Sequence, residues 1–178
     1  MSRSLSLLLA GFLFAAPAAA QPLFEIELGG GFTFVDVEGV ADADGAVAED
    51  WNQPSFRGSA RALFGAEGGI RYGAELGYQS LYWYSVRIPF GSQPIRREYT
   101  VTAMSAMGLA RLDAGSALVD LGAGLAFLDD PAPLLSVAVG WEVAERLSIK
   151  VRADGMIASQ PTVPLGLGIS YGFQPRGR

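Results

Sequence analysis

From Leu23 onward, apolar and polar residues alternate with a period of two, the pattern of a strand that hides one face. Eight segments carry it. The first, Leu23 to Val37, sets Phe24, Ile26, Leu28, Phe32 and Phe34 against Glu25, Glu27, Gly29, Gly31 and Thr33. The second, Pro54 to Gly65, sets Phe56, Ala60, Ala62 and Phe64 against Arg57, Ser59 and Arg61. The third, Gly69 to Val86, sets Ile70, Tyr72, Leu76, Tyr78, Tyr82 and Tyr84 against Arg71, Gly73, Glu75, Gly77 and Gln79. The fourth, Arg96 to Ala110, sets Tyr99, Val101, Ala103, Met107 and Leu109 against Glu98, Thr100, Thr102 and Gly108.

The second half repeats the scheme. Val119, Leu121, Leu125 and Phe127 oppose Asp120, Gly122 and Gly124 in Ala117 to Phe127. Leu135, Val137, Val139, Trp141 and Val143 oppose Ser136, Gly140 and Glu142 in Leu134 to Val143. Leu147, Ile149, Val151 and Ile157 oppose Ser148, Lys150, Arg152 and Asp154 in Leu147 to Ala158. Val163, Leu165, Leu167, Ile169, Tyr171 and Phe173 oppose Gly166, Gly168, Ser170 and Gly172 in Val163 to Phe173. Each segment reaches the roughly 9–11 residues with which a tilted strand crosses a bilayer. Connections are short at Ala66–Gly68, Asp113–Ser116 and Ala144–Arg146, and longer at Glu38–Gln53 and Arg87–Ile95. The predicted fold is all-β, an eight-stranded antiparallel up-and-down barrel with short turns and both termini at one end.

Two barrels share this pattern. A soluble, lipocalin-like ligand-binding barrel turns its apolar face inward, and a transmembrane barrel turns it toward lipid. The polar face is rich in glycine, which weakens a solvent-facing strand but makes room inside a narrow barrel. Along an up-and-down path, Phe24, Phe64, Tyr72, Trp141, Tyr171 and Phe173 fall near one rim. Phe34, Phe56, Tyr82, Tyr84, Tyr99 and Phe127 fall near the other. Two aromatic girdles are the mark of a membrane interface. The apolar face is therefore expected outside.

Composition narrows the chemistry. Half of the 178 residues are apolar and 17% are charged, which excludes general disorder. There is no cysteine and no histidine, so disulfides, Cys/His zinc sites and histidine- or cysteine-based catalysis are excluded. The net charge of −5 argues against nucleic acid. Met1-Ser2-Arg3, the apolar run Leu5 to Ala16 and the small residues before Gln21 read as an export signal over residues 1–20, with residues 21–178 as the barrel domain.

The eight strands, the export signal, the ending Tyr171-Gly172-Phe173 and the stretch Ile70-Arg71-Tyr72-Gly73-Ala74-Glu75-Leu76-Gly77-Tyr78 resemble the small outer-membrane β-barrel superfamily of OmpA barrel domains, OmpX and Opa proteins. The resemblance covers the mature chain and implies the same fold and an outer-membrane location. Gln174 to Arg178, which follow the terminal aromatic, depart from it. Enzymes of similar architecture use histidine with serine, so their motif has no counterpart here.

Charges on the polar face are tolerable inside a barrel only when paired. Glu25, Glu27, Arg57, Arg61, Arg71, Glu75, Asp120, Glu142, Lys150, Arg152 and Asp154 are expected to form an interior salt-bridge network, with Arg96 and Glu98 on the same face. Pairing around Glu67-Gly68 sets Arg61 opposite Glu75 and Gly65 opposite Arg71. Pairing around Ala144–Arg146 sets Glu142 opposite Lys150. Leu81 and Trp83 either plug the mouth or mark a bulge. Asp42-Ala43-Asp44-Gly45 begins like a calcium loop but lacks the remaining ligands, so no metal and no cofactor is expected. Arg87, Arg96 and Arg97 suit lipopolysaccharide phosphates or the acidic first loop. The expected function is a non-enzymatic, monomeric outer-membrane barrel with a plugged polar lumen, structural or displaying loops to partners. A narrow porin-like solute or ion channel and the soluble exported barrel are the rivals.

Overall fold

The structure, a computed structural model, describes residues 22–35, 47–52, 54–65, 68–88, 95–128, 130–157 and 161–174, with the backbone alone at 47–52, 84, 86–88 and 95–97. Among the described residues nine strands form: β1 (Leu23–Val35), β2 (Val47–Asn52), β3 (Pro54–Gly65), β4 (Ile70–Ile88), β5 (Ile95–Ala114), β6 (Ala117–Phe127), β7 (Pro131–Ala144), β8 (Leu147–Met156) and β9 (Thr162–Phe173). β2 pairs with the far end of β4 just beyond the stretch where β3 pairs with it, so β2 and β3 occupy one strand position. The sheet is antiparallel throughout and closes where β1 meets β9 and β4 meets β5. The architecture is thus a closed eight-stranded antiparallel barrel.

Register fixes its dimensions. A path along the ladder from Glu25 runs through Arg61, Glu75, Met107, Gly124, Leu134, Met156 and Thr162, and returns to β1 at Val35, ten residues farther along. With eight strands and ordinary sheet spacings, that stagger gives a tilt of about 40° and a backbone radius of about 8 Å. Such a cylinder has room for side chains and little else. Tight turns close one end. Gly115 begins the β5–β6 turn at φ 67, the conformation a two-residue hairpin needs, and Arg146 adopts φ 67 in the β7–β8 turn.

The two faces divide cleanly. Glu75 is 1% exposed on β4, while Tyr78, three positions on, is 54% exposed. Ile26, Leu28 and Phe32 on β1, Leu121 on β6, Val137 on β7 and Ile169 on β9 all point outward. On the outward face from the short-turn end up to Thr102, no described residue of the eight strands is charged. A soluble protein rarely leaves more than a few hundred Å² of continuous apolar surface open, and here it wraps the whole cylinder. This polarity contradicts the soluble, inward-facing barrel.

Three sequence expectations are corrected. β5 is out of phase by one residue: Ala103, Met107 and Leu109 point inward, and Met104 and Leu112 outward. Tyr82 does not join the girdle. A bulge at Leu81, which has no partner on β5 between the Ser80–Thr102 and Tyr82–Val101 pairs, turns Tyr82 into the lumen at 6% exposure. Glu142 is exposed at the solvent-open short-turn end, and a two-residue turn with a bulge between Glu142 and Ala144 sets Gly140, not Glu142, opposite Lys150. The Arg61–Glu75 and Gly65–Arg71 pairs stand in the register expected.

Candidate functional site: the charged lumen

Among the described residues, β1, β3, β4, β5, β6 and β8 contribute charge to the interior. The lower layer holds Glu25 (β1), Arg61 (β3), Arg111 (β5), Asp120 (β6) and Lys150 (β8). The layer above holds Glu27 (β1), Arg57 (β3), Glu75 (β4), Arg152 and Asp154 (β8). Nearer the short turns, Arg71 Nε lies 3.0 Å from Asp113 Oδ2. Among the described residues these are six acids and six bases, so the ionised interior is neutral.

Arg61 joins the layers. Its Nη1 donates to Glu25 Oε1 at 2.8 Å and Asp120 Oδ2 at 3.0 Å, its Nε donates to Glu75, and its Nη2 lies 2.5 Å from Glu27 Oε2. Arg111 forks across two acids, donating from Nη1 to Glu25 Oε2 at 2.7 Å and from Nε to Asp120 Oδ1 at 2.6 Å. Planar guanidinium groups suit this two-point binding. Lys150, wholly buried, donates to Glu25 and to Asp120 Oδ2 at 3.3 Å. Arg152 donates to Glu75 Oε2 at 2.9 Å and Asp154 Oδ1 at 2.8 Å, and Arg57 donates to Glu75 and Asp154. Glycines give these stems their space: a Cβ on Gly140 would stand 2.7 Å from Lys150 Cγ.

Two members escaped the sequence reading, Arg111 and Asp113. Arg111 faces Asp120 directly across the β5–β6 hairpin, and that complementary pair was the available signal. Glu142 accepts instead from the backbone N–H of Arg146 at 3.2 Å, and Glu98 is exposed. The side chains of Arg87, Arg96 and Arg97, and that of Tyr84, lie outside the described residues, as do the export signal and the Asp42–Gly45 stretch.

At the short-turn end a vestibule of about 470 Å³ opens to solvent between Arg71, Arg111, Asp113, Glu142 and Arg146. Toward the long-loop end an apolar cluster that includes Leu81, Tyr82, Ala103, Ala126, Leu134 and Met156 packs inside the barrel. The bulged Leu81 belongs to it, and its carbonyl accepts from Thr33 Oγ1 at 2.6 Å. Of the expected girdles, Tyr72, Trp141, Tyr171 and Phe173 are exposed at the lower rim, where Phe24 stacks on Phe173 with ring centroids 5.7 Å apart. Phe64 is half-buried beside them. Phe34, Phe56 and Phe127 are exposed at the upper rim, while Tyr99, also exposed, shares the inward parity of Val101 and Ala103.

No family model matches the chain, and no curated protein matches it significantly. Solved structures do. Ail of Yersinia pestis is 9% identical, with a TM-score of 0.50 over 86% of this chain and 99% of its own. OprG of Pseudomonas aeruginosa is 12% identical, with a TM-score of 0.49 over 85% and 96%. Neisserial surface protein A is 11% identical, with a TM-score of 0.46 over 85% and 97%. At these identities the likeness concerns fold alone, and of the three the first reaches 0.5. With its closed eight-stranded barrel, lipid-type exterior and charged interior, the chain has the fold of the small outer-membrane β-barrels.

Proposed function

We propose that this chain is an outer-membrane barrel whose lumen is sealed, serving as a rigid transmembrane scaffold that holds its long loops at the surface. The balanced ion network under the apolar cluster is the observation that carries this reading. A neutral set of interlocked ion pairs leaves no net charge to attract a permeating ion, and the apolar cluster offers nothing to replace its hydration shell. A barrel of eight strands is filled by side chains, whereas wider ones leave aqueous channels. Catalysis has no part in this reading, since the chain lacks histidine and cysteine. Residues 1–20 serve as the export signal, so protein recovered from the membrane is expected to begin at Gln21. Lipid is the partner of the exterior, and one chain forms the barrel.

Planar-bilayer recording tests the seal. The refolded barrel is expected to give no steady current, and persistent, ion-selective openings would favour the narrow pore. Extraction tests the location: protein that leaves membranes in urea without detergent would overturn it.

A further inference from the structure

The closing seam of the barrel is built on glycine. Facing inward, Gly29 and Gly31 of β1 pair with Gly168 and Gly166 of β9. The strands approach so closely that a Cβ on Gly31 would stand 2.1 Å from the Leu165 carbonyl oxygen, and one on Gly29 would stand 2.6 Å from that of Leu167. No larger residue fits at Gly29 or Gly31. A cavity of about 20 Å³ lies beside the seam, lined by Gly29, Gly30, Gly166 and Gly168 and by Glu27, Arg57, Gln79, Arg152 and Asp154.

Its polar walls are incompletely satisfied. Arg57 Nε and Gln79 Oε1 are buried without a hydrogen-bond partner. Glu27 Oε1 stands 3.9 Å from both Arg57 Nε and Arg152 Nη1. That gap is too long for a direct hydrogen bond and suited to a bridged one. The wall carries two carboxylates and two guanidinium groups, so its charge favours neither anion nor cation. One water needs roughly 10–15 Å³ on this scale and about three polar partners.

We infer that this cavity is a binding site for one ordered water, which accepts from Arg57 Nε and donates to Gln79 Oε1 and the Glu27 carboxylate. A water has one acceptor role and two donor roles to fill here, matching one donor and two acceptors. The water completes the upper ion layer, and the inference holds whether or not the lumen conducts.

A crystal structure of the refolded barrel, at a resolution that orders internal solvent, tests this. Expected is a single peak within hydrogen-bond distance of Arg57 Nε and Gln79 Oε1, with no anomalous signal after a bromide soak. An empty cavity in a well-ordered map, or a bromide peak, overturns it. In solution, water-to-protein cross-relaxation at the Arg57 Nε–H is expected in the unsubstituted barrel and lost in Gln79→Leu, whose folding is checked by heat-modifiable migration. Persistence of that signal in folded Gln79→Leu overturns the assignment. Should the variant not fold, the crystal map of the unsubstituted protein decides.

Discussion

Arg61→Met removes the side chain that joins the two ion layers while keeping most of its volume. Four carboxylates, Glu25, Glu27, Glu75 and Asp120, lose a cation at once, and the interior gains a net negative charge. Removing one partner of a buried ion pair typically costs about 3–5 kcal/mol, because the survivor stays desolvated. In a water-filled lumen the same contact would be screened and worth about 0–1 kcal/mol. Urea unfolding of the barrel in detergent, followed by tryptophan fluorescence and gel mobility, separates these regimes. Arg61→Met is expected to lose about 3 kcal/mol or more. Adding Glu75→Gln removes one of the stranded charges, so the double variant should recover part of the loss, with a coupling of about 1–3 kcal/mol. A loss below about 1 kcal/mol, or purely additive effects, would refute the view that these charges are dry and interdependent.

Leu121→Arg places a cation on the outward face, where Leu121 is 56% exposed; in lipid it should cost about 2–4 kcal/mol, whereas no measurable cost would return the barrel to water. Gly140→Val drives a side chain into Lys150 and should cost about 1–3 kcal/mol in the same unfolding assay, while Gly155→Ala, with nothing within 4 Å of its added carbon, should be silent. Glu142→Gln should leave the unfolding midpoint unchanged, since Glu142 lies outside the ion network; a large shift would restore it there. If Arg87, Arg96 and Arg97 meet lipopolysaccharide phosphates rather than the acidic first loop, replacing them with glutamine should weaken co-sedimentation with lipopolysaccharide in a salt-dependent way; equal binding would remove them from that role.

The strand pattern, the face polarity and most of the interior charges were legible because a period of two leaves one register per strand once one face is apolar. The misreadings have local causes. β5 lines the apolar part of the lumen, so Ala103, Met107 and Leu109 make its inward face as apolar as its outward one, and hydropathy lost its contrast there. Charge kept it: Arg111 and Asp120 pair across a short hairpin only if Arg111 points inward. Tyr82 was displaced by a one-residue bulge at Leu81, and the Glu142–Lys150 register by a turn of two residues together with a bulge between Glu142 and Ala144. Alternation alone does not announce a bulge, because an inserted residue leaves each flanking segment looking regular.

The ten-residue stagger has a kinetic consequence. Because the strands run obliquely, each layer of the interior gathers side chains far apart along the chain: Lys150 meets Glu25, 125 positions away, and Arg111 meets Glu25 across 86. Neighbouring strands supply part of the pairing, as Arg111 with Asp120 and Arg61 with Glu75, but Lys150 and Arg152 reach Glu25 and Glu75 only when the barrel closes. A half-assembled ribbon would carry bare charge into hydrocarbon, so insertion and closure must proceed together. The polar axis is therefore expected to penalise incomplete sheets in the bilayer and to slow both formation and opening of the finished barrel.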